Sequence, residues 1–240
     1  MVRLGRSSCL LFLAPTFYTL LWFYLNTERC KNDFCKDHDC IPKFVPYRYQ
    51  LRVSPSYNLV GCVIEKNFST VFTAILCFLF DSENFIRNNR TIDRDVHGNR
   101  FCKEINEFEK FNQLDLNSST TLVTVVRDPI DRFVSGFTDK CLLDKTWKKY
   151  PSRCLGCKTN LTCFVHNLHK RMKTASRRRS FKPIFDYDHF FPQSWRCDFS
   201  NRFEQYKILK LDVKDRTFFN HQFLATLNSS GVSGEKLEYI

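Results

Sequence analysis

The sequence predicts an α/β fold, a parallel sheet flanked by helices, behind an N-terminal transmembrane helix. Three observations lead there. Two apolar runs rich in β-branched residues, 58–64 and 121–126, are each followed by a stretch of helical periodicity. A seventeen-residue segment without charge, 9–25, precedes them. The 240 residues are 43% hydrophobic, enough to bury one sizeable core.

Taken in order, residues 1–8 read as a short tail carrying Arg3 and Arg6. "CLLFLAPTFYTLLWFYL" (9–25) then reads as a signal anchor, with Tyr18, Trp22 and Tyr24 toward one interface. A cleaved signal peptide is the alternative, although "FYLNTERC" offers no small-x-small cleavage pattern. Residues 26–56, with Cys30, Cys35 and Cys40, read as a stalk, and 57–240 as the folded domain. Within it, "NLVGCVI" (58–64) is a strand buried on both faces, and "STVFTAILCFLFD" (69–81) a helix with Ser69 or Thr70 at its N-cap. "EINEFEKFNQL" (104–114) is read as an amphipathic helix, "TLVTVV" (121–126) as a second buried strand and "IDRFVSGFTDKCL" (130–142) as the helix after it. Residues 143–200 are read as an irregular insertion, followed by a strand over 206–212 and a helix over 215–227. There is no internal repeat.

The composition points to the secretory lumen and to an anionic partner. Against 25 acidic residues stand 37 Lys and Arg, a net charge of +12. Of twelve cysteines, Cys62 and Cys77 sit in apolar runs and are read as packed thiols; the spacing of Cys141, Cys154, Cys157, Cys163 and Cys197 favours disulfides over zinc, since no second CxxC or paired His follows "CLGC". Sequons at Asn67, Asn89, Asn117, Asn160 and Asn228 agree with that compartment. The run "HKRMKTASRRRSFK" (169–182) carries seven basic residues and no acid; it suits an anionic glycan or is a solvated loop, and a nucleic-acid role conflicts with the lumenal signals. His166 and His169 are read as helix-surface residues.

In an open parallel sheet, ligands bind beyond the carboxyl ends of the strands, at helix N-termini. Two such ends stand out. "EKNFST" (65–70) places Lys66, the backbone from Asn67 on and the hydroxyls of Ser69 and Thr70 where a phosphate can be wrapped; the GxxxxGK[ST] pattern is absent, which argues against a nucleotide triphosphatase. "VTVVRDPIDRFVSGF" (123–137) brings Arg127 off a strand, with Pro129 setting the turn and Ser135 on the next helix. Singly, Lys66 reads equally as a solvated lysine and Arg127 as an ion-pair partner of Asp128 or Asp131.

Together, "CVIEKNFST" resembles the 5′-phosphosulfate loop of sulfotransferases and "RDPIDRFVSGF" their 3′-phosphate motif. With "DKC", "CLGCKTNLTCF", "HFFPQSWRCDF" and "EQYKILKL", the chain from about Tyr57 on is similar to the membrane-bound carbohydrate sulfotransferases, including the chondroitin-type enzymes and their nematode branch. The resemblance implies a P-loop-like, sulfotransferase-type fold and a Golgi type II membrane enzyme. It implies transfer of sulfate from 3′-phosphoadenosine 5′-phosphosulfate to a glycan hydroxyl, without a metal, the acceptor being N-acetylgalactosamine in a glycosaminoglycan. It assigns Lys66, Asn67, Ser69 and Thr70 to the 5′-phosphosulfate, Arg127 and Ser135 to the 3′-phosphate, and Lys66 and His189 to catalysis, His189 as the base. Glu65 and Phe68 depart from the family, where a proline and a small residue are common. A catalytically silent, glycosaminoglycan-binding relative is the alternative. The resemblance also sets the expectation that a chain ending in "NSSGVSGEKLEYI" lacks a further packing helix, exposes apolar surface and is weakly active.

Overall fold

The computed structural model describes residues 49–177 and 184–240, with Ile41 alone before them. Residues 1–8, the segment 9–25 read above as a signal anchor, Cys9, Cys30, Cys35, Cys40 and positions 178–183 of the basic run lie outside the described residues. No helix among those described is long and apolar enough to cross a membrane.

The domain is built on a five-stranded mixed sheet in the order β3-β1-β2-β4-β5. Its parallel half comprises β2 (Leu59–Cys62), β4 (Thr121–Arg127) and β5 (Tyr206–Leu211), as the apolar runs predicted. The other half corrects the expectation of a parallel sheet. β1 (Leu51–Ser54), placed in the stalk by the sequence reading, pairs antiparallel with β2 through a 3-10 turn closed by Asn58 in the left-handed region (φ 46°). On the far side β1 pairs with β3 (Glu107–Phe108), inside the segment expected to be the helix 104–114. Tertiary pairing overrides helical periodicity there, because the β1 edge offers unpaired backbone and Glu107 meets both Arg52 and Arg100, at 3.3 and 2.8 Å.

Helices cover both faces. α1 (Ser69–Phe80) and α2 (Ser82–Arg87) follow β2, and α3 (Pro129–Phe137) follows β4. The region read as irregular supplies α4 (Leu161–Ser176), α5 (Phe185–Phe190) and α6 (Phe199–Arg202), before α7 (Arg216–Ser229) and α8 (Gly234–Tyr239). The strands alternate across the sheet: Leu59, Val63, Val123 and Val125 join Phe72, Ile75, Phe219 and Phe223 on one side, whereas Val60, Cys62, Ile64 and Leu122 join Phe111 and Tyr206 on the other. Gly61 is required by the close approach of α1, since a Cβ there would lie 2.3 Å from Leu76 Cδ1.

Two further expectations change. Phe219, Phe223, Leu227 and Val232 are buried, and α8 packs on the same core: Leu237 and Ile240 lie against it and Tyr239 stacks on Phe78 at 4.5 Å. The stretch after residue 227, expected to leave apolar positions uncapped, thus supplies a helix against the core. Cys62 and Cys77 are not packed thiols but disulfide partners of Cys197 and Cys102. Cys154 and Cys157 of "CLGC" separate into bridges with Cys141 and Cys163, and no metal-ligating cluster occurs among the described residues.

Candidate functional site

The loop from β2 into α1 is strained, and its strain is held from several directions. Lys66 and Phe68 both have left-handed backbones, φ 68° and 62°, costly for residues with a Cβ. Phe68, not Ser69 or Thr70, occupies the N-cap and lacks a capping side chain, so the first N–H groups of α1 are left without intrahelical partners. Alternating left- and right-handed residues at a helix start form an anion-binding concavity.

The two departures from the family pattern anchor this loop. Phe68 packs edge-on against Phe219 and Phe223, with ring centroids 5.2 and 5.7 Å away. Glu65 is buried, accepts a hydrogen bond from Gln50 and pairs with Arg196 at 2.9 Å; burial nevertheless pushes its pKa up. Arg132, itself buried, donates through Nε to the Glu65 carbonyl at 2.9 Å and through Nη1 to that of Phe191 at 2.9 Å. Asn67 is 1% exposed and donates to the Val125 carbonyl at 3.0 Å and to Gln193 Oε1 at 2.7 Å. Its side chain is thus engaged inside the protein, leaving its backbone to the loop.

Gln193 ties the two predicted loops together. Its Oε1 also accepts from the Arg127 N–H at 3.3 Å, and its Nε2 donates to the Arg127 carbonyl at 2.6 Å. Arg127 in turn reaches the Lys66 carbonyl through Nη1 at 3.4 Å, while its Nε is buried without a hydrogen-bond partner. Asp128 is not its ion-pair partner; it caps α3 by accepting from the N–H groups of Ile130 and Asp131. Gln193 and Arg132 were missed as connectors by sequence reasoning. Their signal was present only as the Pro-Gln landmark and as an arginine on the helix after "RDP".

A cavity of about 440 Å³ opens over the first loop. Lys66, Ser69, Thr70 and His189 line it together, with Asp139, Lys140, Phe185 and Asp188. Arg127 and Ser135 are not in its lining: Arg127 is held against the loop at the Lys66 carbonyl, and Ser135 sits half-buried on α3.

Lys66 is not a solvated lysine. Its Nζ lies 2.7 Å from Asp139 Oδ2, in the π-helical turn Thr138–Leu143 that follows α3, and Lys140 approaches the same carboxylate at 2.9 Å. Burial disfavours the charge on Asp139, but the hydrogen bonds from the two lysines outweigh it and hold its pKa below the usual value.

His189 sits on α5, seated against α3 where Gly136 leaves room for Phe190. Its Nδ1 lies 2.8 Å from the Phe185 carbonyl, which can only accept, so that nitrogen carries the proton and Nε2 keeps its lone pair. Burial lowers its pKa to about 4, with Lys140 and Lys66 adding to the fall, and the ring is neutral near pH 7. His166 and His169 are exposed on α4, as expected.

Comparison with known proteins identifies relatives of the chain. A carbohydrate sulfotransferase of Caenorhabditis elegans, chst-1, is 35% identical over 210 residues, 83% of this chain and 63% of its own length. A second protein of that organism, named "Putative sulfotransferase vep-2", is 34% identical over 217 residues, 88% of this chain and 67% of its own. The chain thus spans about two thirds of the length of these curated relatives. No solved structure matches it. The family model described as "Sulfotransferase family" matches residues 49–240, from just ahead of β1 through the strained lysine loop, the Arg-Asp-Pro turn and the glutamine that joins them: the chain belongs to the sulfotransferase family.

Proposed function

We propose that this protein transfers sulfate from 3′-phosphoadenosine 5′-phosphosulfate to a hydroxyl of a glycan, N-acetylgalactosamine of a chondroitin-like glycosaminoglycan being the acceptor. The observation that carries the reading is the shared cavity, in which the lysine of a strained helix-start loop and a neutral, lone-pair-bearing histidine face the same space.

The residues present fit such a donor. A helix start without a capping side chain and a buried Arg127 Nε without a partner are both suited to anionic oxygens. When bound, the donor supplies the sulfuryl group and a phosphate leaving group. Lys66, Ser69, Thr70 and the backbone of Asn67 would hold the 5′-phosphosulfate, and Arg127 and Ser135 the 3′-phosphate. Lys66 would stabilise charge growing on the leaving oxygen, which acts more strongly in the transition state than in the ground state. His189 Nε2 would take the acceptor proton, its tautomer held by the Phe185 carbonyl. The lumenal sequons, the disulfides and the charge-free segment 9–25 support a Golgi type II membrane setting.

The test is equilibrium binding of adenosine 3′,5′-bisphosphate to the purified protein, beside sulfate transfer to desulfated chondroitin. Tight binding that weakens by about tenfold or more in Arg127→Ala, as loss of a charge-assisted hydrogen bond of about 1.5–3 kcal/mol requires, supports the reading. Undetectable binding would leave the silent glycan-binding alternative.

A further inference from the structure

The described part of the 169–182 run does not line the cavity, and a different basic segment packs on one of its lining residues, Phe185. Residues 145–158, "KTWKKYPSRCLGCK", hold five Lys and Arg and no acid, interleaved with Trp147 and Tyr150. Lys145, Lys148, Lys149 and Lys158 are exposed, and Tyr150 is 42% exposed.

This segment is built against the candidate site. The Arg153 guanidinium lies between two rings, 4.0 Å from the centroid of Tyr150 and 3.9 Å from that of Phe185. Phe185 lines the cavity, and its centroid is 4.3 Å from that of His189. On the same helix, the Asp186 carboxylate accepts the N–H groups of Cys154 and Leu155 at 3.1 and 3.3 Å. The disulfides Cys141–Cys154 and Cys157–Cys163 fasten the segment further. The lysines and Tyr150 are therefore displayed from backbone tied to the helix that carries His189.

We propose that the 145–158 segment is a docking surface for the anionic glycan chain beyond the acceptor sugar, so that the acceptor is a polymer rather than a free mono- or disaccharide. The proposal rests on the glycan-acceptor reading above. Exposed lysines attract the repeating carboxylates of a uronate-containing polymer and release its counterions, as for any polyanion. Tyr150, with one face on Arg153, adds an amphipathic ring on which the apolar face of a pyranose can lie. Continuity with the Phe185 rim favours a glycan over a nucleic acid, because the chain bound here must also enter the cavity.

The experiment compares wild type with Lys148→Glu/Lys149→Glu and Lys148→Ala/Lys149→Ala, variants of exposed side chains outside the cavity. The probes are polymeric desulfated chondroitin, dextran, a 24-nucleotide single-stranded DNA and adenosine 3′,5′-bisphosphate. Expected are weakening of chondroitin binding by at least tenfold in the charge-reversed variant, a shallower salt dependence in both variants, negligible dextran binding and unchanged bisphosphate affinity. Chondroitin affinity unchanged in both variants, absence of chondroitin binding by wild type, or stronger binding of the DNA than of chondroitin would each overturn the proposal. The bisphosphate arm reads the donor site alone: a protein that shows the expected chondroitin results but binds no bisphosphate keeps this surface and loses the sulfotransferase reading.

Discussion

Asp139 pairs with Lys66, and under the proposed function it would compete with the donor for that lysine, so neutralising it is expected to tighten donor binding. Asn at this position keeps an oxygen able to accept from Lys66 Nζ, now 2.7 Å from Asp139 Oδ2, so the lysine retains its anchor while one negative charge disappears. A phosphate oxygen within hydrogen-bond reach of Lys66 would sit roughly 5 Å from the Asp139 carboxylate. Two unit charges at that distance repel by about 3 kcal/mol at an effective dielectric of 20 and by about 0.8 in water. The Asp139 side chain is 33% exposed, which places the cost between these limits, at about 1–2 kcal/mol. Asp139→Asn is then expected to bind adenosine 3′,5′-bisphosphate about 5- to 30-fold more tightly in calorimetry at low salt. Because the carboxylate is partly exposed, the gain should shrink as salt is raised. Unchanged or weaker affinity at low salt would refute the argument and make Asp139 the group that aims Lys66 rather than its rival.

Gln193→Ala removes three hydrogen bonds, those with Asn67 Nδ2 and with the Arg127 N–H and carbonyl, at about 1 kcal/mol each. A fall in Tm of about 6–12 °C is expected for a domain of this size, with weaker bisphosphate binding because both loops lose their common anchor. For His189 the folded pKa of about 4 lies below the ordinary 6.5, so the unfolded chain takes up the proton first. Stability should fall as pH drops from about 6.5 to about 4, and a thermal series in His189→Asn should lose that component. The same pKa predicts that His189-dependent turnover of free enzyme declines as pH falls through about 4, which a kcat/KM profile reads directly. Asn67 should be unmodified in glycopeptide maps of the folded protein, since its amide is buried and clamped; glycan found on that residue in an active protein would contradict the loop geometry.

The amino-acid order alone determined the parallel half of the sheet and the position of the candidate loops. Buried strands such as 121–126 need continuous β-branched apolar side chains, and a lysine or arginine leaving such a run toward a helix is a local signal. Proline at the first position of α3, with Asp128 capping it, is equally local. What the tertiary structure decided was everything that depends on partners distant in the chain. Residues 104–114 carry a helical pattern, yet the β1 edge and two arginines draw Glu107 into a strand. Cys62 looks like a packed thiol until the fold brings Cys197 to it from 135 residues away. Lys66 could be singled out by its loop, but its partner Asp139 lies 73 residues on, and the bond from Asn67 to Gln193 spans 126. Long-range contacts of this kind have no periodicity of their own. They follow from where the sheet places strand ends, and only folding brings Lys66 and His189 to one cavity.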